Sequence, residues 1–322
     1  MSVRTYNPSV RVGNWNEDIC LEEDLLKDFL DRREKGELLI QKTHNLMQNI
    51  LKKMDPTVTT DGFVHFGDIV MLINPGQENT PRSLQLIEPP RQPSSLSINM
   101  DEYKMHTAKQ VEGPCAVSCS TLFDPCARNL FVITSVDGTE HGQALRFGQP
   151  FAISTTEGYA GNLNLFSDHA RFNLNAKKSR KQILQLVEET NYLTTWQVQV
   201  YDPRLRLEYE GLPVPSNVKV IIKHNKTGQA LAVQSDYILR TPFGKEFEVS
   251  AHTHLDSHKA EMDNNHWVIV SGNPSDDTTT HFERPEPTAS GAPQPSARTG
   301  DQTAHQTQQS DENDKGQEQK ND

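Results

Sequence analysis

The N-terminal segment, residues 1–56, carries apolar side chains at helical spacing. Leu25 and Phe29 stand four residues apart, and neighbouring leucines repeat this interval, which is the period of one face of an α-helix. Gly36 is a typical helix stop, and a second apolar stripe ends before Pro56. The pattern predicts an α-helical N-terminal arm with two amphipathic helices. Their stripes either pack on the rest of the protein or dock on a partner.

Residues 57–274 change to short β-branched and aromatic runs separated by Gly, Pro, Asn and Asp, a pattern typical of many short strands. Three segments begin alike when Gly67, Gly148 and Asn217 are matched. Apolar residues then follow three and five positions later, as on one face of a strand: Val70 and Leu72, Phe151 and Ile153, Val220 and Ile222. Each segment then enters a second apolar strand, with Leu84 and Leu86, Leu163 and Leu165, or Leu231 and Val233.

The ends of the three segments also agree, because an aromatic residue heads each closing strand: Phe131, Trp196 and Trp267. This repetition divides the domain into three lobes, at about 62–136, 145–200 and 214–272. A single lobe of hairpins cannot bury its apolar face alone, so the three lobes are expected to share one core. We therefore predict a mostly β protein whose residues 57–274 form a β-trefoil; a plain Greek-key barrel is the alternative.

The final segment, residues 275–322, is rich in Gln, Thr, Asp and Pro and has almost no large apolar residues. Such a segment cannot bury enough surface to offset the entropy of ordering, so we predict a disordered acidic tail. From residue 274 onward, ten Asp or Glu against four Lys or Arg contribute −6 of the net charge of −11, which leaves −5 on the body.

Charge and hydropathy limit the partners. A mildly acidic body is a poor binder of nucleic acid, because Lys and Arg supply most of that affinity. No apolar run approaches the roughly 20 residues that span a bilayer, and the first residues lack the apolar stretch of a signal peptide. We predict a cytoplasmic protein that binds neither nucleic acid nor membrane.

Titratable residues are densest in the string AHTHLDSH. His252, His254 and His258, with Asp256, are either metal ligands or a chance cluster at a strand end. The chance cluster is favoured, because His252 and His254 share one strand face while His258 lies past a polar turn.

The four cysteines include no CxxC pair, and we predict reduced thiols. Three of them lie in VEGPCAVSCSTLFDPCARN, which we expect to be an irregular insertion in the first lobe. Neither a nucleophile elbow nor a glycine-rich phosphate loop occurs. The sequence therefore predicts no catalytic residue, metal or cofactor, and a protein that is not an enzyme.

One basic run, KKSRK, stands between two predicted strands of the second lobe and contains Lys177, Lys178, Arg180 and Lys181. Such runs are nuclear-localisation-like strings or solvated loops. A third interpretation is a surface that engages an acidic protein partner.

Several strings resemble the cilia- and flagella-associated protein 161 family, among them GFVHFGDIVMLINP, DPRLRLEYEGLPVPSN and TPFGKEFEVSAHTHLDSHK. The resemblance reaches from about Val10 to Pro274 and is weakest at 77–125. It implies a MIR-like domain, itself a β-trefoil. It also implies a structural microtubule inner protein of ciliary and flagellar doublets. Such a protein lies in the A-tubule lumen, bound to the luminal face of tubulin and to neighbouring luminal proteins, and supports axoneme stability and motility.

Tubulin is acidic overall, so an acidic protein must bind it through local basic and apolar anchors. In the arm, Arg4, Arg11 and Trp15 are candidates, because they are expected to precede the first helix; packing on the trefoil is the alternative. A different function is a trefoil module in the cytoplasm that binds a carbohydrate or protein ligand, for which Tyr159 is the candidate aromatic platform.

Overall fold

The computed structural model describes residues 14–76 and 92–272, with side chains from residue 19 onward. The helices in these ranges are α1 (Asn14–Glu34), α2 (Leu39–Ile50), α3 (Glu102–Thr107) and α4 (Arg206–Tyr209). The strands are β1 (Ile69–Asn74), β2 (Ser94–Asn99), β3 (Cys115–Ser120), β4 (Leu130–Ser135), β5 (Pro150–Thr155), β6 (Asn164–Ser167), β7 (Leu184–Val187), β8 (Trp196–Val200), β9 (Lys219–His224), β10 (Leu231–Thr241), β11 (Gly244–Ala251) and β12 (His266–Val270). The protein is mostly β.

Six of the strands close a circle by antiparallel pairing, in the order β1, β4, β5, β8, β9, β12 and back to β1. The other six strands pair as hairpins, β2 with β3, β6 with β7 and β10 with β11. Strand β3 pairs further with β7 and β11, which joins the hairpins to one another. Closing the sheet leaves no free strand edge within the circle.

The three matched lobe openings share one backbone conformation. Gly67, Gly148 and Asn217 have φ values of +95°, +79° and +60°. Each N–H donates to a carbonyl of the closing strand in its own lobe, at 2.7, 3.0 and 2.9 Å respectively. Positive φ is strained for residues with a Cβ, and Gly and Asn tolerate it best. Glycine and asparagine therefore occupy matched positions because the backbone has a positive φ at each of them.

The three closing aromatic residues stand opposite matched positions. In the strand register Phe131 faces Val70, Trp196 faces Phe151, and Trp267 faces Val220. All three aromatic side chains are fully buried in one hydrophobic core. The register places them at equivalent positions around the circle, as the sequence match predicts.

Three backbone hydrogen bonds form a closed triangle at one point of the barrel. The N–H of Val64 donates to the carbonyl of Val214, that of Val214 to Leu145, and that of Leu145 to Val64, at 2.8 to 3.0 Å. Each residue stands three positions before a matched lobe opening, and all three are fully buried. Matched positions of the three lobes are thus bonded to one another in a cycle.

The first lobe departs from expectation in two places. Leu84 and Leu86 lie outside the described residues, and the next described strand after β1, which pairs with it, is β2 at Ser94–Asn99. The expected irregular insertion is wrong at Cys115 and Cys119, because Cys115–Ser120 forms β3, which pairs with three other strands; Cys126 lies between β3 and β4, outside both strands. Cys, Ala and Ser residues do not mark a strand in the sequence. The strands that pair with β3 therefore determine its conformation.

Burial explains the state of the β3 thiols. Desolvation raises the pKa of Cys115 to about 12 and raises that of Cys119 as well. Both are therefore neutral thiols, and Cys20, Cys115, Cys119 and Cys126 form no disulfide.

Candidate interaction surfaces

Helix α1 exposes its apolar face. Leu25, Leu26 and Phe29 are 62%, 58% and 46% exposed, and every described side chain from Ile19 to Phe29 is exposed. The helix ends before Gly36, whose φ of +72° reverses the chain. Within the described residues nothing covers this face. An exposed apolar face of this kind is typical of a docking surface.

Helix α2 behaves differently, because it buries Leu46 and Ile50 in the hydrophobic core. Its Thr43 hydroxyl lies 2.8 Å from Nδ1 of His106, beside α3. The apolar stripe of α2 therefore packs on the rest of the protein, whereas the apolar stripe of α1 is exposed.

The arm residues predicted to dock are only partly described. Arg4 and Arg11 lie outside the described residues. Trp15 lies inside α1, which begins at Asn14, so the expectation that it precedes the first helix is wrong. The structure does not describe its side chain.

The basic run lies in the loop between β6 and β7, and its first half is tied to the β10–β11 hairpin. The backbone N–H groups of Lys178 and Ser179 donate to the two carboxylate oxygens of Glu248, at 2.8 and 2.7 Å. The amine of Lys178 donates to the carbonyl of Ile238. Lys177 is exposed. The loop is thus fixed against the hairpin.

The second half of the run, Arg180 and Lys181, is engaged in hydrogen bonds. The Lys181 amine donates to Oε1 of Gln234 at 2.8 Å and lies 3.1 Å from Nε2 of His254. Burial lowers the pKa of Lys181. Arg180 donates to Oδ1 of Asn175 at 3.3 Å. The run therefore does not act as one patch: Lys177 and Lys178 border the exposed end of the hairpin, Arg180 bonds within its own loop, and the Lys181 amine is engaged with Gln234 of β10.

Three further cations lie near Lys177 and Lys178. Arg240 and Lys245 stand directly opposite each other on β10 and β11. Lys104 of α3 lines a cleft together with Lys177 and Arg240. Sequence reasoning missed this group, because its members are as many as 141 positions apart in the chain, from 104 to 245, and no local spacing connects them.

The histidine cluster lies at a strand end. The rings of His252 and His254 meet edge to face, with centroids 4.8 Å apart. Burial and the charge of Lys181 lower the pKa of His252. Across residues 14–76 and 92–272, no group of three His, Cys, Asp or Glu side chains is placed to hold a metal ion. Nor does any helix in those ranges have the length and apolar character to cross a membrane.

A buried carboxylate anchors the segment between β8 and β9. Glu261 accepts hydrogen bonds from Arg206 at 2.6 Å and from Lys223 at 2.9 Å. Burial by itself raises the pKa of Glu261, but the hydrogen bonds from the two cations outweigh it, and the net shift is downward. Glu261 therefore ties α4 to the barrel through charge.

We expect Glu261→Gln to destabilise the protein by about 1.5–3 kcal/mol at pH 7, because hydrogen bonds to a charged group are lost. A depressed pKa stabilises the fold above the pKa of the unfolded chain. The difference from wild type should therefore shrink as pH falls below about 4.3. Urea unfolding across this pH range measures the effect, with the exposed Glu189→Gln as a control of unchanged stability. A difference that does not depend on pH would contradict this assignment.

These features define a class of protein: a mostly β protein with a closed, barrel-like sheet, an exposed amphipathic helix and a cluster of surface cations. The cilia- and flagella-associated protein 161-like domain matches residues 42–272. The chain belongs to the cilia- and flagella-associated protein 161 family.

Relatives align over most of the chain. It is 49% identical to cilia- and flagella-associated protein 161 of Danio rerio over 279 residues, which are 85% of this chain and 90% of that protein. It is 44% identical to the Bos taurus protein of the same name over 292 residues, or 90% and 89% of the two chains. A solved Caenorhabditis elegans protein with unknown function overlaps with a TM-score of 0.45 at 15% identity, covering 66% of this chain and 98% of its own.

Proposed function

We propose that this protein is a structural microtubule inner protein of ciliary and flagellar doublets. It binds the luminal face of tubulin and neighbouring luminal proteins in the A-tubule, and it supports axoneme stability and motility. Membership of a family whose relatives are named cilia- and flagella-associated supports the cilium as its location. We also propose that the six-strand circle and three hairpins are a MIR-like β-trefoil, supported by the threefold hydrogen-bond cycle of Val64, Leu145 and Val214.

The exposed apolar face of α1 is the observation that carries a binding role. A luminal brace needs a rigid body and an arm that reaches a neighbour, and it needs no reactive site. The barrel supplies a packed body, and α1 supplies an apolar stripe that the described residues leave uncovered. Burying Leu25 and Phe29 against a partner contributes about 1.5–3 kcal/mol for each side chain.

The test is a tagged full-length protein expressed in ciliated cells, followed by high-salt extraction of axonemes. We expect the wild-type chain to stay with the doublets and Leu25→Glu/Phe29→Glu to be released, because its affinity falls at least about 100-fold. The change leaves the fold intact, since both side chains are exposed.

The matched control is Phe172→Glu, which changes a 96% exposed aromatic residue away from α1 and should be retained. Retention of the α1 variant would overturn the role of this helix. Extraction of the wild-type chain by salt would overturn the luminal placement.

A further inference from the structure

The β10–β11 hairpin, the β6–β7 loop and α3 meet at a surface that we name the basic cleft. Its cations are Lys104, Lys177, Lys178, Arg240 and Lys245. We propose that the basic cleft binds an acidic segment of a protein partner. This inference rests on the proposed function in one respect, that the chain acts by binding other proteins. It adds which surface binds and that the bound segment is acidic.

The cleft has room for a peptide. One part, of about 430 Å³, is lined by Lys178, Ile238, Arg240 and Lys245. The other, of about 570 Å³, continues from Arg240 to Lys177 and Lys104 and includes Met100 and Pro242. The two parts share Arg240, so a bound chain can run from one to the other. The exposed side chains of Ile238 and Pro242, one in each part, provide apolar contacts for the stems of acidic residues.

The hairpin holds like charges in direct opposition. Arg240 and Lys245 are cross-strand partners and both are exposed. Like charges placed in this way destabilise a strand pair. Within the described residues neither forms an ion pair, and Lys177 forms none. A carboxylate bound between the two side chains relieves the repulsion, which favours an anionic ligand.

Two buried carboxylates of the hairpin, Glu246 and Glu248 on β11, already have partners within the protein. Glu246 is buried and pairs with Arg128 at 2.7 Å. Glu248 is buried and accepts the backbone N–H groups of Lys178 and Ser179. These contacts fix the backbone of the hairpin and of the loop relative to each other, so the positions from which the cationic side chains extend are set before a ligand arrives. Pre-positioned charges cost less entropy on binding.

The charges in and around the cleft favour a short acidic segment as the ligand. Asp101 and Glu102 line the far part of the cleft, and the part between Lys178 and Lys245 has no lining carboxylate. The body carries −5 overall, so a long polyanion such as a nucleic acid meets repulsion beyond the cleft. A peptide with a few carboxylates can place them between Lys178, Arg240 and Lys245, where no lining carboxylate opposes them. An acidic protein segment therefore fits better than a nucleic acid.

The test is fluorescence anisotropy with the full chain and a fluorescein-labelled peptide of glutamate residues, at low and at physiological ionic strength. The variant is Lys177→Glu/Arg240→Glu/Lys245→Glu, which spares the bonded amine of Lys178. The control is Lys35→Glu/Lys52→Glu/Lys109→Glu, which makes the same charge change at exposed positions that do not line the cleft. We expect roughly tenfold weaker binding in the cleft variant, a change within about twofold in the control, and weaker binding by all proteins at higher salt.

Several results would overturn the proposal: no peptide binding by the wild-type chain, equal losses in both variants, or tighter binding of a labelled RNA than of the peptide. A further variant, Asp311→Asn/Glu312→Gln/Asp314→Asn, tests the protein's own tail. If it tightens peptide binding tenfold, the tail occupies the cleft and the partner assignment is wrong; unchanged binding supports a separate partner. The peptide measurement involves no cilium, so its failure leaves the ciliary proposal standing, and the axoneme extraction can fail while the cleft still binds.

Discussion

Replacing Trp267 with alanine should lower the free energy of unfolding by about 3–5 kcal/mol. The side chain is fully buried in the shared core, and its indole N–H donates to the carbonyl of Leu231 at 2.9 Å. The substitution opens a cavity and removes one of two side-chain donors to that carbonyl, because Nδ2 of Asn265 still donates to it at 3.1 Å, so the cavity is the main cost. Urea unfolding of the full chain, followed by circular dichroism, measures the loss.

The equivalent substitution Trp196→Ala should cost a similar amount, since its indole N–H donates to Leu165 at 2.8 Å and it occupies the matching place in the circle. Phe172→Ala is the control, because an aromatic ring that is 96% exposed contributes little, within about 0.5 kcal/mol. An unfolding midpoint for Trp267→Ala equal to that of Phe172→Ala would contradict a core built on these aromatic residues.

Breaking the buried ion pair between Arg128 and Glu246 should have an effect of the same size. The two groups lie 2.7 Å apart with side chains only 2% exposed, and the guanidinium also stacks on the ring of Phe243 at 3.8 Å. Glu246→Ala leaves the arginine charge buried and unpaired, which costs about 3–5 kcal/mol. Because the pair joins β11 to the turn before β4, the β10–β11 hairpin should lose hydrogen-exchange protection first.

The double variant Arg128→Met/Glu246→Leu should recover most of this loss, because removing both charges leaves no unpaired ion. Asp28→Ala provides the matched control: its pair with Arg32 has a similar length, 2.8 Å, but is more than half exposed and contributes about 0.3–0.5 kcal/mol. A Glu246→Ala loss no larger than that of Asp28→Ala would show that the buried pair does not hold the hairpin.

Local patterns predicted the repeat of the barrel strands. The Gly67, Gly148 and Asn217 match depends on positive φ at one residue, and the following apolar alternation depends on the two-residue period of a strand. Both are properties of a few neighbouring residues, so they are visible in the chain. The same pattern missed β3, since Cys, Ala and Ser do not mark a strand and three pairing partners determine its conformation.

The sequence by itself determined the mostly β character, the equivalent places of Phe131, Trp196 and Trp267, and the presence of an apolar stripe on α1. Only the tertiary structure decided that α2 packs while α1 is exposed. It also decided that Lys177 joins Arg240 and Lys245 at one cleft while the Lys181 amine is bonded to Gln234 of β10. The reason is physical: periodicity and backbone preference act over a few residues, whereas burial and charge clustering depend on contacts between segments far apart in the chain.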